Sequence, residues 1–396
     1  MALHCLWEKM KIITDSKINK NKTIGILGLG SMGKIIAKDL AKTFNGKIIY
    51  LVREINSVKD LAKKFHAEVR YADVSKPETL VKAFNGIDVV IHAVHHEFNL
   101  NVMKACLRSK TNYIDLGGLY HYTKKQLKLN EQFQKAKLTA VIGMGASPGI
   151  TNVLAKYSSR FLDKIKNIEI KIGYKDFSTY KQISPLSASY SIQTILEEFS
   201  WKPAVFVNGK INFVEPISGR EEYKFPAPVG IQKPQYTIHS EIATLPYTLK
   251  AENVSFKIAF DDEFVDKIKM LKENGFISDE KIKISNNEFN IKNISLEILK
   301  KLPKTIPEKI NQYEIIRVIA EDNKKKIVMD AKITGINETI DKDTGVPPSI
   351  TAQMIADGKI TNKGVFPPES IVSEDSFFKE LAKRKIYIYK DNKKIN

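Results

Sequence analysis

A chain of 396 residues with 43% hydrophobic and 27% charged residues has the composition of a globular protein with two or three domains. Its apolar runs are too short to span a bilayer, and its N-terminus lacks the long apolar segment of a secretory signal. Two cysteines cannot form a disulfide framework, so we expect a cytoplasmic protein that is not bound to a membrane.

The formal net charge of +18 is unusual for a cytosolic enzyme. Such a charge would suit a nucleic-acid partner, because lysine and arginine neutralise phosphates. However, the lysines are spread over the whole length, and the sequence carries no helix-turn-helix or RNA-binding signature. We therefore favour a solvated lysine-rich surface that steers anionic ligands over a nucleic-acid-binding protein.

The first part of the chain alternates between β-branched runs and helical patterns. The predicted strands are 23–27, 47–52, 68–71, 88–93, 112–115 and 139–142. The predicted helices between them are 32–44, 57–64, 77–84, 99–109 and 123–137. Strict alternation of this kind predicts right-handed crossovers and an α/β fold with a doubly wound parallel sheet, the Rossmann architecture.

The motif Gly28-x-Gly30-x-x-Gly33 follows the first strand and opens the first helix. In this context Gly28 permits a tight turn, Gly30 lets the backbone approach a pyrophosphate, and Gly33 lets the helix pack closely on the sheet. The N–H groups of the helix start, at Ser31 and Met32, favour an anion. The motif predicts a dinucleotide cofactor.

Arg53 directly follows the second predicted strand, at the position where a site that prefers NAD usually carries an acidic residue. An arginine there can stack on the adenine and pair with a 2′-phosphate, which favours NADP over NAD. Glu54 follows directly and could instead bind the ribose hydroxyls. Asp73, after the third strand, is placed either to contact the adenine or to serve as an ordinary loop acid.

The fourth strand ends in the sequence "HAVHHEFN". Ala93 and Val94 are placed to line the cofactor, because ligands of open α/β sheets bind beyond the carboxyl ends of the strands. His95 and His96 are candidate general acids or bases, since imidazole titrates near neutral pH, although each could be a simple loop histidine. Adjacent histidines without a cysteine or a second spaced histidine do not predict a metal site.

Two further strand ends are rich in glycine. Asp115 ends the fifth strand before Gly117 and is our best carboxylate candidate, either to hold an ammonium group or an imine or to cap the next loop. Gly145 lies in the turn "GMGASPG" after the sixth strand. It is predicted either to line the nicotinamide carboxamide or to form a hinge.

Beyond residue 149 the pattern changes to that of an α+β domain. Helices are predicted at 150–161 and 189–199, a strand at 168–173, hairpins at 201–216 and 313–333, and a helical segment at 264–307. A further helix is predicted from Pro348 to Gly358, followed by a helix and strand at 376–390. We predict an extension at 1–21, a dinucleotide-binding domain at 22–147 completed by about 347–396, and a catalytic domain at 148–346.

Five segments in order, "YIDLGGLYHYTKKQL", "VIGMGASPGITNVLAK", "SGREEYKFPAPVG", "YTIHSEIATLP" and "GVFPPE", resemble the saccharopine dehydrogenase family. The resemblance covers nearly the whole chain except residues 1–20 and 264–307. It implies a Rossmann domain and a catalytic α+β domain with a mixed sheet, in a homodimer. It also implies hydride transfer between NAD(P) and a carbon bonded to nitrogen in an amino acid, as in lysine metabolism.

Within that family, saccharopine, the ε-amino group of lysine and carboxynorspermidine are alternative substrates, and a non-catalytic dinucleotide-binding protein is a further alternative. The resemblance places Asp115 and Gly117 beside the substrate and the nicotinamide. It also implies substrate contacts from the second domain, at His239, Ser240, Glu241 and Thr244. His239, like His95 and His96, could serve as the base. Arg220 could bind a substrate carboxylate bidentately, or it could be a surface arginine.

Overall fold

The computed structural model describes residues 22–186 and 190–396, which form two compact units. The first unit comprises residues 22–156 and Asp341–Arg384, and the second comprises residues 157–340 and Lys385–Asn396. The extension predicted at residues 1–21 lies outside the described residues. Within the described part of the chain, every helix is too short or too polar to cross a membrane.

The elements fall into three consecutive stretches of chain. The first contains β1 (Thr23–Leu27), α1 (Ser31–Thr43), β2 (Lys47–Val52), α2 (Lys59–Lys64), β3 (Glu68–Tyr71), α3 (Pro77–Ala83), β4 (Val89–His92), α4 (Asn99–Ser109), β5 (Asn112–Asp115), α5 (Leu119–Leu127), α6 (Asn130–Lys135), β6 (Thr139–Val141) and α7 (Ile150–Ser159). The second contains β7 (Asn167–Asp176), β8 (Thr179–Gln182), α8 (Ile192–Ser200), β9 (Ala204–Val207), β10 (Lys210–Phe213), β11 (Tyr223–Lys224), β12 (Ile231–Gln232), β13 (Pro234–Tyr236), α9 (Leu245–Thr248), β14 (Asn253–Ala259), α10 (Asp262–Glu273), β15 (Lys281–Ile284), β16 (Asn287–Asn290), α11 (Ile291–Leu299), β17 (Ile306–Lys309), β18 (Asn311–Glu321) and β19 (Lys326–Ile336). The third contains α12 (Lys342–Ala356), β20 (Gly364–Phe366), α13 (Pro368–Ile371), α14 (Glu374–Lys383), β21 (Ile386–Lys390) and β22 (Lys393–Lys394).

The sheet of the first unit has seven strands in the order β20-β6-β5-β4-β1-β2-β3, and all its pairs are parallel. Its strands are almost continuously apolar, because helices cover both faces. The predicted doubly wound parallel sheet is confirmed. Since parallel strands end at the same edge, the turns after β1, β2, β4 and β5 are brought together there.

The main sheet of the second unit is mixed. Its order is β10-β9-β14-β7-β18-β19-β21-β22, with β13 added on β14, and the β14–β7 pair is parallel whereas the others are antiparallel. The predicted mixed sheet is confirmed, and the hairpins expected around Asn208-Gly209 and at 313–333 are both present. Helices α8, α10 and α11 pack together through a separate apolar cluster.

The predicted helix 123–137 is divided into α5 and α6, and the structure differs from the sequence prediction in several further places. The segment 385–396 belongs to the second unit, because the buried Ile386 and Ile388 extend the antiparallel ladder of β19. The stretch 264–307, predicted as helical, contains the β15–β16 hairpin as well as α10 and α11. The prediction that a helix starts at Pro348 is wrong, since α12 begins at Lys342 and contains Pro347 and Pro348 in its interior.

Candidate functional site

The turn after β1 has the backbone geometry that its glycines predict. Gly28 has a φ of +92°, a left-handed conformation that favours glycine. Its N–H donates to the carbonyl of Leu51 at 3.0 Å, which holds the turn against β2. A Cβ on Gly33 would lie 2.0 Å from the carbonyl oxygen of Gly28, so that the helix can start this close to the strand only with glycine.

Gly30 behaves differently from the other two glycines. It has a φ of −69° and is the N-cap of α1, and a Cβ built on it would meet no atom within 4 Å. The first turn of α1 contains no acidic residue, so no negative side chain of that turn would compete with an anion for the N–H groups of Ser31 and Met32. Open space in front of Gly30 beside a helix N-terminus fits a dinucleotide pyrophosphate.

The side chains predicted to read the adenosine end lie after β2 and β3. Arg53 is 73% exposed, and its Nε is 4.0 Å from the carboxylate of Glu54. Asp73 accepts hydrogen bonds from the backbone N–H and the hydroxyl of Ser75, and these bonds lower the pKa of Asp73. The contact of Asp73 with adenine stays a prediction, because its carboxylate already shapes the loop.

The end of β4 packs on the glycine turn. A Cβ built on Gly28 would lie 2.6 Å from the side chain of Val94 and 3.0 Å from the carbonyl oxygen of Ala93. His95 caps the next turn by accepting from the N–H of Glu97, and its ring lies 4.0 Å from that of His96. The two histidines are therefore adjacent at this edge of the sheet, and their acid–base role stays a prediction.

Asp115 is buried, with 1% of its surface exposed. Its carboxylate accepts from the N–H groups of Gly117 and Gly143, from the Tyr113 hydroxyl and from the Gln126 amide, at 2.5–3.0 Å. Burial raises the pKa of Asp115, although these four bonds act in the opposite direction. The carboxylate thus ties the loop after β5 to that after β6, and this geometry disfavours its predicted contact with substrate.

The loop that Asp115 supports contains the second predicted glycine site. Gly145 is buried and forms a bridge with Gly149, and its N–H donates to the carbonyl of Pro148 at 2.8 Å. A Cβ on Gly145 would lie 3.0 Å from the carbonyl oxygen of Leu116. A side chain at this position would press on the Leu116 carbonyl, so glycine suits the close backbone packing, and the contact of Gly145 with the nicotinamide stays a prediction.

The second unit contains a buried histidine between two acidic side chains. The Nδ1 of His239 lies 2.7 Å from Oε2 of Glu241, and its Nε2 lies 4.0 Å from Oε1 of Glu198. The imidazole ring stacks on Phe256 with 3.7 Å between the ring centroids. The hydroxyl of Tyr190 donates to Glu198 at 2.5 Å. These side chains form what we call the buried acid–histidine cluster, Tyr190, Glu198, His239 and Glu241.

The cluster has strongly perturbed protonation equilibria. Burial raises the pKa of Glu198 to about 7, against the partial opposing effects of His239 and Tyr190. Burial alone would lower the pKa of His239, but the carboxylates of Glu241 and Glu198 outweigh it, so the net pKa is raised. Groups that titrate near neutral pH in a buried site are typical of acid–base catalysis.

The other predicted residues of the second unit have different surroundings. Ser240 and Thr244 flank a turn at Glu241–Ala243 beside the cluster, and both are buried. Arg220 is hydrogen-bonded to Asp262, which also accepts from Lys233 at 2.9 Å. The predicted role of Arg220 in binding a substrate carboxylate stays a prediction, since Asp262 already neutralises it.

Sequence reasoning missed Glu198 and Tyr190. A signal for Glu198 was present, because Ile195 and Phe199, three residues before it and one after, lie in the apolar core of α8. A carboxylate at that helical position is directed toward the core and needs a special reason to be there. Tyr190 has no comparable signal, since it lies before the first residue of the observed helix, although the predicted helix 189–199 included it.

A parallel sheet with a glycine turn that fits a pyrophosphate, joined to a mixed-sheet unit with a buried acid–base cluster, defines a dinucleotide-dependent oxidoreductase. Residues 24–141 match the model of the saccharopine dehydrogenase NADP-binding domain. Residues 145–386, more than half of the chain, match that of the saccharopine dehydrogenase C-terminal domain. The chain belongs to the saccharopine dehydrogenase family.

Relatives and a solved structure support the same assignment. The carboxynorspermidine synthases of Vibrio cholerae and Vibrio alginolyticus are 25% and 24% identical, over 64% and 82% of this chain. These alignments span 62% and 83% of the relatives' own lengths. Carboxyaminopropylagmatine dehydrogenase of Synechocystis is 22% identical over 90% of this chain and 94% of its own. Apo saccharopine dehydrogenase (L-Glu forming) of Saccharomyces cerevisiae shares the fold, with a TM-score of 0.70 and 18% identity over 95% of this chain and 100% of that one.

These findings confirm the predicted family, fold and class of NAD(P)-dependent oxidoreductase. The family model for residues 24–141 also confirms the dinucleotide as the cofactor class. The preference for NADP over NAD, which depends on Arg53 and Glu54, stays a prediction. The roles of the individual site residues also stay predictions.

Proposed function

We propose that the protein is an NAD(P)-dependent dehydrogenase or reductase that acts on a C–N bond of a carboxylated polyamine. Such a substrate combines a carboxylate with cationic amino groups. The relatives that align with 82% and 90% of the chain are named for compounds of this class, carboxynorspermidine and carboxyaminopropylagmatine. The proposal deepens the predicted amino-acid oxidoreductase, because carboxynorspermidine is one of the alternative substrates given by the sequence resemblance.

The observation that carries the substrate class is the accumulation of acidic side chains inside the second unit. Glu198 and Glu241 are both buried, and they lie on opposite sides of the His239 imidazole. Buried carboxylates need positive partners, because an isolated ionised carboxylate is poorly tolerated away from water. A cationic amine substrate would supply that charge, whereas a substrate that is only anionic would be repelled.

The first unit would hold the cofactor through its glycine turn. Gly30 and the N–H groups of Ser31 and Met32 would bind the pyrophosphate, and Arg53 would bind the 2′-phosphate of NADP. Bound NAD(P) supplies the acceptor or donor of a hydride. Ala93 and Val94 support the turn from β4, so that the phosphate-binding backbone is held in place before the cofactor arrives.

The second unit would manage the proton. Oxidation of an amine to an imine requires the nitrogen to be unprotonated, so a base that titrates near neutral pH is needed. His239 is the candidate base of the second unit, because Glu241 orients its imidazole through Nδ1 and Phe256 holds the ring from one face. His95 and His96 are the alternative bases in the first unit.

The proposal is tested with purified full-length protein and four oxidisable substrates: carboxynorspermidine, carboxyaminopropylagmatine, saccharopine and L-lysine. Each is incubated with NADP⁺ or NAD⁺, the absorbance of the reduced cofactor is followed, and the products are identified by mass spectrometry. We expect turnover with the carboxylated polyamines and a higher kcat/KM for them than for saccharopine or lysine. Turnover of saccharopine alone would move the assignment to saccharopine, which the family models favour.

A non-catalytic role is the outcome if no amine is oxidised while NADPH binds tightly. In that case the variants His239→Asn, His95→Asn and His96→Asn would bind NADPH as the unchanged protein does. We also propose a cytoplasmic homodimer, in accordance with the family resemblance and the low cysteine content. Size-exclusion chromatography with light scattering tests the dimer, and a mass of one chain would contradict it.

A further inference from the structure

Glu198 occupies an unusual position for a carboxylate. It lies on α8, is 3% exposed, and is next to the core residues Ile195 and Phe199 of the cluster that joins α8 to α10 and α11. Transfer of a carboxylate into such surroundings is unfavourable unless it is protonated or paired. The structure provides two partners: the hydroxyl of Tyr190 donates to one oxygen of Glu198, and Nε2 of His239 lies 4.0 Å from the other.

Apart from His239, the ionisable side chains that act on Glu198 and Tyr190 are carboxyl groups and a tyrosine. Besides His239, its environment contains Glu241 from the following turn, Glu197 from α8 and, through Tyr190, Glu314 of β18 and Tyr174 of β7. The ionisable groups on α10 and α11 near this cluster have other partners. They are Lys272, which donates to the Phe199 carbonyl at 3.2 Å, Lys292, which pairs with Asp279, and Glu297, which pairs with Lys300.

One imidazole therefore lies between two buried carboxylates. Two carboxylates that share a site with one cation cannot both ionise at low energy, so one proton is shared within the group. The short bond from Tyr190 holds one oxygen of Glu198, while its other oxygen faces Nε2 of His239 at 4.0 Å. Glu241 occupies the opposite nitrogen, at 2.7 Å. Glu198 is therefore the carboxylate on the side of His239 that is not occupied by Glu241.

Two other polar side chains next to the cluster have no partner among the described residues. The amide of Gln235, which is 0% exposed, and the hydroxyl of Thr237 are buried without a hydrogen bond. Gln235 pairs in register with Ile258, two residues from Phe256, on which His239 stacks. Gln235 therefore lies on the same face of the sheet as Phe256, opposite a residue that is about 7 Å from Phe256 along β14. Buried polar atoms without partners beside an ionisable group are typical of a site that binds a polar ligand.

We propose that Glu198, held by Tyr190, is a positioning residue that shares a proton with His239 and sets the charge of its imidazole, with Gln235 and Thr237 completing a polar site for the amine. The inference rests on the proposed function. In the oxidation, the substrate carbon gives up its hydrogen as a hydride to bound NAD(P)⁺, the nitrogen forms a double bond to that carbon, and the N–H proton passes to His239 and Glu198. In the reduction the same pair returns the proton to nitrogen.

The test compares Glu198→Gln and Tyr190→Phe with Glu215→Gln, a control in which an exposed glutamate paired with Lys202 undergoes the same change. Full-length protein with ¹³C-labelled histidine is titrated by NMR, and His239→Asn assigns the resonance. We expect Glu198→Gln to lower the titration midpoint of His239 by about one pH unit or more, because an opposite charge close by is removed. Tyr190→Phe lowers it less, since Glu198 then keeps its proton more strongly. The control leaves it unchanged.

The titration does not depend on turnover, so its failure differs from that of the proposed function. A His239 midpoint in Glu198→Gln within about 0.3 pH unit of the unchanged protein overturns the inference. In the active enzyme, the ionisation in the pH profile of kcat/KM must move in the same direction, and an unshifted profile also overturns it. If Glu198→Gln fails to fold, Tyr190→Phe supplies the same comparison. Absence of turnover with every amine refutes the proposed function and leaves the titration result to decide the coupling.

Discussion

The contrast between Gly30 and Gly33 gives the sharpest test of the cofactor site. Both residues belong to the same turn, yet an added methyl group meets different surroundings at each. At Gly33 it would lie 2.0 Å from the Gly28 carbonyl oxygen, about 1 Å closer than real Cβ atoms approach their neighbours. At Gly30 it would meet nothing within 4 Å. Gly33→Ala therefore perturbs the protein, and Gly30→Ala perturbs only what binds in front of it.

The magnitudes follow from this geometry. Alanine is favoured over glycine inside a helix by about 1 kcal/mol, so Gly33→Ala would stabilise α1 if space allowed. A clash with rigid backbone costs about 1–3 kcal/mol or more, and we expect the clash to dominate with a net loss of about 1–2 kcal/mol. Gly30→Ala should change the free energy of unfolding by less than about 0.5 kcal/mol, because its φ of −69° suits alanine.

The affinity for NADPH should behave differently from the stability. A methyl group on Gly30 occupies the space that the pyrophosphate needs, so we expect the Kd to rise at least about tenfold, or about 1.4 kcal/mol. Urea denaturation measures the stability, and calorimetric titration measures the affinity in the same preparations. Gly30→Ala with unchanged NADPH affinity would refute the placement of the pyrophosphate. Gly33→Ala that is as stable as the parent would refute the packing argument.

Three further predictions use separate parts of the molecule. Asp115→Asn should lower the free energy of unfolding by about 2–4 kcal/mol in urea denaturation, because an amide cannot accept from all four donors; a loss under about 1 kcal/mol would contradict its structural role. Arg53→Ala should weaken NADPH binding about tenfold or more and NADH binding little, measured by calorimetry, whereas equal losses would exclude contact with the 2′-phosphate. Glu198 and His239 both have raised pKa values, so the folded state binds more protons than the unfolded chain does. The free energy of unfolding therefore falls as the pH rises. The window for Glu198 runs from about 4.5 through about 7, and that for His239 begins above 6.5. Glu198→Gln should reduce the loss of stability between about pH 5 and pH 8 by about 3 kcal/mol in denaturant titrations, and an unchanged loss would contradict the burial argument.

The first unit was predictable because its pattern is local. The strands 23–27, 47–52, 68–71 and 112–115 were placed at their observed limits, since short apolar runs alternate with helices throughout. The glycine motif was equally informative, because its function depends on backbone geometry within six consecutive residues. The helix around Pro348 was not predictable in this way, as the prolines that usually start a helix lie inside α12.

The role of Asp115 shows where local reasoning stops. An acidic residue at a strand end before two glycines looks the same in sequence whether it contacts a substrate or ties two loops together. The difference is made by Gly143 and Gln126, which donate to it from residues 28 and 11 positions further along the chain. These donors arrive only when β5 and β6 are aligned and α5 is docked. The strand order, and not the motif, determines what this carboxylate can do.

The acid–histidine cluster depends on longer-range geometry still. The sequence places His239 and Glu241 two residues apart, which suggests a pair but not its surroundings. Phe256 reaches the imidazole because β13 pairs with β14, and Glu198 reaches it from α8, some forty residues earlier in the chain. Each contact alone is ordinary; together they bury a histidine with an excess of negative charge. A proton held under those conditions exchanges near neutral pH, so the packing of α8 and β14 determines the acid–base chemistry that the second unit can offer.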